Sequence, residues 1–511
     1  MKRRAFLQGA AGVGLVTAGG LGTLPGRSSH AAGDTVTVGI NNDIVTWDPL
    51  SVSEWYTTAI LPSVLETAVT NKDGAYIPWL LESIQPRETT VWRMRLRPGI
   101  KFQNGEPLDA RALKWNLDLY ADRTANYPNP GTRVLLPLMK EANVVDDRTV
   151  DLVTTQASAL VYEGLTRVYL MPPAYFQKVG RQAFGATPVG TGAWRFKEWQ
   201  RGSSMTLVRN DDYWGEKPNF GTIVFRTIPE SVSRVSALVA GEIDMAAGVD
   251  PQQVSVIRGR PGLRVETGPG TLVFIGLDTL SKPFNDVRVR RAVNFAVNWD
   301  EIISRVLQGA AERNVGLFYP FQEGVDPGLR DYYKHDPRQA KQLLAEAGYA
   351  QGFSVPFYYA PGLEGVAKND VVAQAIAADL AAIGVTVNLQ QVDPGTFFTQ
   401  FGQRKFADGM FQYSFTTVTP AGRHIYALLN SRARSTYHKD LEMDKVIDAY
   451  IGAVTPAERV RAGKLLHRYI VEQAPLLFGY QQRNLFGAAD RLLWKPWLES
   501  PFHAESMRIR A

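Results

Sequence analysis

Apolar and polar positions follow two rhythms along this chain, and the rhythms change places many times. Period-two alternation predicts strands over 35–40 (TVTVGI), 90–96, 193–199, 204–209, 221–228, 353–360 and 385–391. Apolar residues three and four apart predict helices over 110–120, 231–240, 287–296, 301–307, 338–347, 371–383 and 455–473. Start signals sharpen several of these. Asp109 and Asp286 stand where side-chain caps belong, and Asp336-Pro337 sets a cap before a proline at the first helical position. Asp73-Gly74 and Asn104-Gly105 supply the positive φ of tight turns. Beyond residue 277 strands and helices alternate, as in an α/β lobe. The apolar runs 271–277 and 476–480 are expected to carry the chain between two lobes.

Two arginine-rich patterns sit within these elements. Arg93, Arg95 and Arg97 share one face of a strand, and Arg288, Arg290 and Arg291 lie off the apolar face of a helix. Both read as solvated faces.

The chain has 511 residues, more than one hydrophobic core usually serves, so at least two domains are expected. It contains no cysteine, which removes disulfides, thiolate metal sites, a cysteine nucleophile and a lipid-anchoring cysteine. The net charge of +6 invites a nucleic-acid reading. Yet the first 32 residues carry Lys2, Arg3, Arg4 and Arg27 and no acid, so four of those six charges belong to that segment. No basic tract follows, and no nucleic-acid partner is expected.

The segment reads as an export signal. Lys2-Arg3-Arg4 and Phe6-Leu7 precede a weakly apolar, glycine-rich run, and Ser29-His30-Ala31 offers small residues for cleavage after Ala31. The paired arginines resemble the twin-arginine type, which implies the twin-arginine export machinery as a partner and a periplasmic location. No later stretch has the length and apolarity of a spanning helix.

The densest pattern is 188–220, PVGTGAWRFKEWQRGSSMTLVRNDDYWGEKPNF. Gly190 and Gly192 suit a close backbone passage, and two strands flank the turn Arg201-Gly202-Ser203. Taken alone this is a hairpin corner with no nucleophile, base or metal set. As a whole it resembles the signature of the extracytoplasmic solute-binding proteins of the oligopeptide, dipeptide and nickel class, family 5, which serve ABC importers. Ala193-Trp194 stands where that signature has Pro-Tyr. The stretches 92–116, 284–296 and 336–348 resemble further motifs of the family, in the same order.

The resemblance implies a two-lobe α/β periplasmic binding-protein fold, type II-like and of the large cluster, with an inserted subdomain. Lobe I would comprise 32–74, 186–276 and 477–511, the inserted subdomain 75–185, and lobe II 277–476. It implies a monomer that captures a small peptide or peptide-like solute between the lobes and delivers it to an ABC permease with its ATPase subunits. No cofactor is implied. The alternative is a non-peptide acidic or hydroxylated solute, such as an opine, a sugar-like compound or a metal chelate.

Candidate ligand residues in the first lobe are Asn42, Trp47, Trp55 and Tyr56, although core packing explains the aromatic ones equally well. In the second lobe they are Tyr358 and Tyr359, of which only one can face a cleft, and Tyr413, Phe415, Thr416, Thr417, Arg423 and His424. The peptide-binding relatives place an aspartate for the ligand's α-amine about where Thr416 or Thr417 stands. Arg423 either clamps an anion or lies on the surface, and His424 either neighbours a chelated metal or is structural. No phosphate loop, serine elbow, complete dinucleotide fingerprint or H-E-x-x-H is present, so the exported-hydrolase reading lacks a motif. The chain is read as a binder and not an enzyme.

Overall fold

The structure is a computed structural model. It describes residues 34–51, 55–72, 74–122, 124, 138–361, 366–415, 421–433, 436–497, 502–503 and 507–510. The export segment and the turn-rich 126–132 stretch lie outside the described residues.

Among the described residues, one mixed sheet of eleven strands runs through the molecule. Its strands, in chain order, are β1 (Thr35–Ile40), β2 (Trp194–Gln200), β3 (Ser204–Arg209), β4 (Thr222–Thr227), β5 (Met245–Ala247), β6 (Leu263–Leu277), β7 (Ala311–Arg313), β8 (Phe353–Tyr359), β9 (Val385–Gln391), β10 (Met410–Phe415) and β11 (Leu476–Ala489). The spatial order is β9-β8-β10-β6-β11-β5-β1-β4-β3-β2, with β7 paired to β11. Two large hydrophobic cores divide this sheet. The first gathers Trp47, Trp194 and Phe225 around β1–β4. The second gathers Phe274, Phe284, Phe357 and Tyr480 around β6, β8, β10 and β11. The fold is a two-lobe α/β binding-protein fold, and among the described strands only β6 and β11 take part in both halves of the sheet.

These crossing strands are longer than their apolar runs. β6 begins at Leu263, not 271, and β11 continues to Ala489. Gly268-Pro269-Gly270 looks like a break in the sequence. Here it is a register irregularity between Pro269 and Leu272, so the ladder resumes instead of ending.

A separate four-stranded antiparallel sheet, in the order Leu81–Glu88, Val91–Leu96, Thr149–Thr154, Met139–Asp146, joins the first core. Helix Ala110–Tyr120 packs beside it, with Asp109 accepting a hydrogen bond from Ala112 N as its cap. In the second lobe Asp286 and Asp336 cap helices Val287–Ala296 and Pro337–Glu346 as expected. The 301–307 helix is instead a single turn, Trp299–Glu301, followed by a π-helical turn Ile302–Val306.

Arg290 departs from the solvated face read for it. It is 6% exposed and its guanidinium donates to the carbonyls of Phe284, Asn285, Gln473 and Ala474. Burial pushes it down to about 10. The sequence pattern cannot separate a solvated arginine from one that collects carbonyls just before a strand.

The signature stretch is organised by Glu66, which is 3% exposed. Oε1 accepts from Trp79 Nε1 at 2.8 Å and Tyr213 OH at 2.7 Å. Oε2 accepts from Thr191 Oγ1 and Trp214 Nε1, both at 2.8 Å. Burial pushes this carboxyl up, and the four donors pull it back. Gly190 and Gly192 pass so close to the same segment that a Cβ on either would overlap Val64 O or Ser63 O. The strand order, the glycines and the Tyr-Trp pair of the signature thus serve one buried carboxylate.

Two predictions follow from this corner. Glu66→Gln puts an amide NH2 against an indole N–H that can only donate, so it should cost about 2–4 kcal/mol of unfolding free energy. Urea denaturation reads this directly, and an unchanged midpoint would remove Glu66 from its organising role. His503, stacked on Trp497 at 4.1 Å and edge-on to Trp79 at 5.0 Å, is held down to about 3, first by burial and then by Lys72. The unfolded chain therefore takes this proton first, near pH 6.5. Stability is fully present above that pH and falls by about 1.4 kcal/mol per unit as pH drops toward 3. His503→Phe should flatten the fall of the thermal midpoint between pH 6.5 and 4, and an equal slope in both proteins would refute the assignment.

The crevice between the lobes as candidate functional site

Strand direction fixes where a ligand can sit. In the first lobe β4 and β5 run parallel to β1, and β5 lies antiparallel to β11, ending where Ala247 meets Phe486. In the second lobe β9 and β10 run parallel to β8, and β10 lies antiparallel to β6, ending where Phe415 meets Leu272. Both groups therefore aim their carboxyl ends at the middle of the crossing strands. That is the side of an open α/β sheet on which side chains and loops form ligand crevices.

The first-lobe side is stiffened by Arg234, which is 2% exposed. It donates to the carbonyls of Ile228, Pro229, Ala247 and Gly248, at 2.6–2.9 Å, and so ties together the ends of β4 and β5. Burial lowers its basicity. The loop after β1 is held by Asp43, which accepts from Trp199 Nε1 and Gly202 N of the β2–β3 hairpin. Asn42 beside it is exposed. Tyr56 is nearly buried, with its hydroxyl next to Gly248 at the end of β5. Trp47 lies fully inside the first core, edge-on to Phe196. Trp55 opens helix Trp55–Ile60, and its side chain lies outside the described residues.

The second-lobe side is a wall of aromatic rings. Tyr413 and Phe415 share one face of β10 with Phe274 of β6, at centroid distances of 5.7 and 5.3 Å. Phe398 meets Tyr413 edge-on at 5.7 Å and keeps 51% of its surface exposed. His424 sets its ring against Phe415. Tyr319 donates its hydroxyl to Phe415 O and stacks on Phe321. Tyr358 and Tyr359 take opposite faces of β8. Tyr358 stacks on Phe406 at 4.9 Å, and Tyr359 turns toward Phe357. Thr416, Thr417 and the Arg423 side chain lie outside the described residues.

So the structure brings Tyr413, Phe415 and His424 together and sets Asn42 and Tyr56 at the strand ends opposite. It leaves Trp47 in the core. Phe398 escaped sequence reading, while Phe274 and Tyr319 back the wall from inside the second core. A signal existed for Phe398: Asp393-Pro394 starts a helix, Pro394–Gly402, on which Phe397 and Phe401 share the buried face and turn Phe398 outward.

The lobes touch along a seam. Ala159 N donates to Ile451 O at 2.7 Å. Arg459 is 7% exposed, pairs with Glu323 at 3.0 Å and holds its guanidinium 5.0 Å from the Tyr162 ring of the first lobe. No group of three or more metal-ligating side chains is found among the described residues, and no helix there is long and apolar enough to cross a membrane.

Two α/β lobes whose strand ends face each other across shared strands have the architecture of a solute-binding protein. The sequence model for bacterial extracellular solute-binding proteins, family 5, middle region, matches residues 75–436, and the chain belongs to that family. It is 27% identical to a glutathione-binding protein of Pectobacterium atrosepticum, over 75% of this chain and 73% of the relative. It is 28% identical to the nickel-binding periplasmic protein of Escherichia coli, over 78% of this chain and 79% of the relative. The fold is similar to that of an ABC transporter-associated periplasmic binding protein of Helicobacter pylori in complex with the peptide STSA. That match has a TM-score of 0.73 and 22% identity, and covers 94% of this chain and 98% of the other.

Opening the lobes must pull Tyr162 away from Arg459. Arg459→Met should therefore shift the ligand-free population toward the open form, by about fivefold for a partly buried cation–π contact. Small-angle scattering would show this as a larger radius of gyration, and a profile identical to wild type would show that the seam does not govern closure.

Proposed function

We propose that this chain captures a small peptide or peptide-like solute in the interlobe crevice and hands it to an ABC permease by hinge closure. The observation that carries the reading is the meeting of two sets of parallel-strand carboxyl ends across β6 and β11, with a half-exposed aromatic wall on one side. Such a wall receives apolar side chains, while backbone and polar groups at the strand ends receive amides. Relatives named for glutathione and a fold neighbour holding the peptide STSA agree with this class of solute. The protein binds its solute and does no chemistry on it.

The lobe boundaries follow the same reading: 32–74, 186–276 and 477–511 form lobe I, 75–185 its inserted subdomain, and 277–476 lobe II. The working form is a monomer in the periplasm, exported by the twin-arginine route and cleaved after Ala31. Asn42, Tyr56, Tyr413, Phe415, Thr416, Thr417, Arg423 and His424 line the solute site, joined by Phe398. Trp55 borders it, as does one of the pair Tyr358 and Tyr359, and Trp47 supports the loop from below.

The polarity of the site follows from its charges. No acid occurs between Met410 and Arg423. Asp43 is committed to Trp199 and Gly202, and Asp393 caps helix Pro394–Gly402. Arg423, the basic residue that closes this stretch in the sequence, is the charge assigned to the solute in this reading, and it suits a terminal carboxylate.

Calorimetric titration with a short peptide and with its C-terminal amide tests this. Amidation and Arg423→Ala should each weaken binding tenfold or more, and together no further than either alone. A peptide library in which nothing binds would overturn the peptide reading. Binding indifferent to amidation would remove Arg423 from the site.

A further inference from the structure

A second cavity lies in the second lobe, beside the hinge. Its volume is about 170 Å3, and among the described residues it is lined by side chains from 312–330 and by His467. None of the crevice residues described above reaches it.

Its floor is apolar, formed by Val315, Phe318 and Val325. Its walls are fixed. Asp326 N donates to His467 Nδ1, so the other ring nitrogen of His467 carries the proton and donates to Val315 O at 2.8 Å. The acids along the wall are already committed: Glu312 pairs with Arg483 at 3.0 Å, and Asp326 with Arg468 at 2.9 Å.

Two arginines line the same cavity, Arg313 and Arg330. Neither guanidinium makes a hydrogen bond or an ion pair among the described residues. Arg313 is half-buried, and burial together with nearby Arg330 lowers its basicity, while Asp300 and Asp331 oppose this only through space. A partly desolvated cation without a partner is costly, and an anion that enters removes that cost. A cavity of about 150 Å3 is enough to hold benzene, so the space here fits a ring with a small charged group at the mouth.

We propose that this cavity is a second binding site, distinct from the interlobe crevice. It takes a small amphipathic monocarboxylate, whose carboxylate pairs with Arg313 and Arg330 and whose apolar body rests on Phe318, Val315 and Val325. The site adjoins the hinge, because Arg313 lies on β7 in register with Tyr480 of crossing strand β11. An occupant would therefore rest against a strand that both lobes share.

The probe is benzoate, with benzamide as the uncharged molecule of the same shape. Calorimetry or thermal shift on the full mature protein should show benzoate binding at millimolar concentration and benzamide at least tenfold weaker. Arg313→Gln should weaken benzoate by tenfold or more. Arg330→Gln, at an exposed position that tolerates substitution, should weaken it severalfold and keeps the test open if the first variant folds poorly. Arg423→Ala should leave the benzoate response intact, which separates this site from the crevice. Equal binding of benzoate and benzamide, benzoate binding unchanged in both arginine variants, loss only in Arg423→Ala, or no benzoate binding at all would each overturn the proposal.

Discussion

The first lobe is assembled around one buried carboxylate. Glu66 gathers Trp79 and, from the 188–220 stretch more than a hundred residues on, Thr191, Tyr213 and Trp214. Burying a charge is expensive, and the expense is offset only when every lone pair finds a donor. Here each oxygen receives one indole N–H, which cannot reverse its role, and one hydroxyl. The geometry therefore has few alternatives. It fixes the entry to the inserted sheet at Trp79, and both the start and the exit of the β2–β3 hairpin. That hairpin in turn presents Trp199 and Gly202 to Asp43, which holds the loop after β1 at the mouth of the crevice. A carboxylate remote from the ligand site thus sets where one wall of the site stands.

Two buried guanidinium groups do a related job at the strand ends. Arg234 collects four carbonyls where β4 and β5 finish, and Arg290 collects four more, two of them at Gln473 and Ala474 just before β11 begins. Carbonyls that leave a sheet have no ladder partner, and a five-donor fork satisfies several at once. Each lobe is thereby rigid close to the hinge. The middle of β6 and β11 has no such brace, and there the Pro269–Leu272 irregularity interrupts the ladder.

Local structure was legible in the sequence wherever one signal decided it. The caps at Asp109, Asp286 and Asp336, the Asn104-Gly105 turn and the strands at Thr35–Ile40 and Val385–Gln391 depend on a few adjacent residues, and the structure has them where the pattern puts them. The length of β6 was not legible, because Gly268-Pro269-Gly270 carries a break signal that a long partner strand overrides. Arg290 was misread because charge alone says nothing about which carbonyls lie within reach. The site was legible in part. Tyr413 and Phe415 stand on one strand and share a face by parity, whereas Phe274, paired with Tyr413 across the sheet, and Tyr319, bonded to Phe415 O, back them from segments more than ninety residues away. Trp47 shows the reverse error: an aromatic residue at the edge of a crevice loop looks like a ligand contact, and it fills the core instead.

The seam bears on how such a protein can both close and open. Arg459 keeps its ion pair with Glu323 inside its own lobe, so opening strands no charge. What opening forfeits includes the approach to Tyr162, about 0.5–2 kcal/mol, the bond from Ala159 to Ile451, about 1 kcal/mol, and the packing of Leu160 on the second core and of Val454 on the first. A ligand shifts this balance only by binding the closed form better than the open one. Contacts to the aromatic wall and the opposite strand ends, made only when the lobes are closed, supply that difference. A seam built on an interlobe ion pair would have held the empty protein shut and left the ligand little to report.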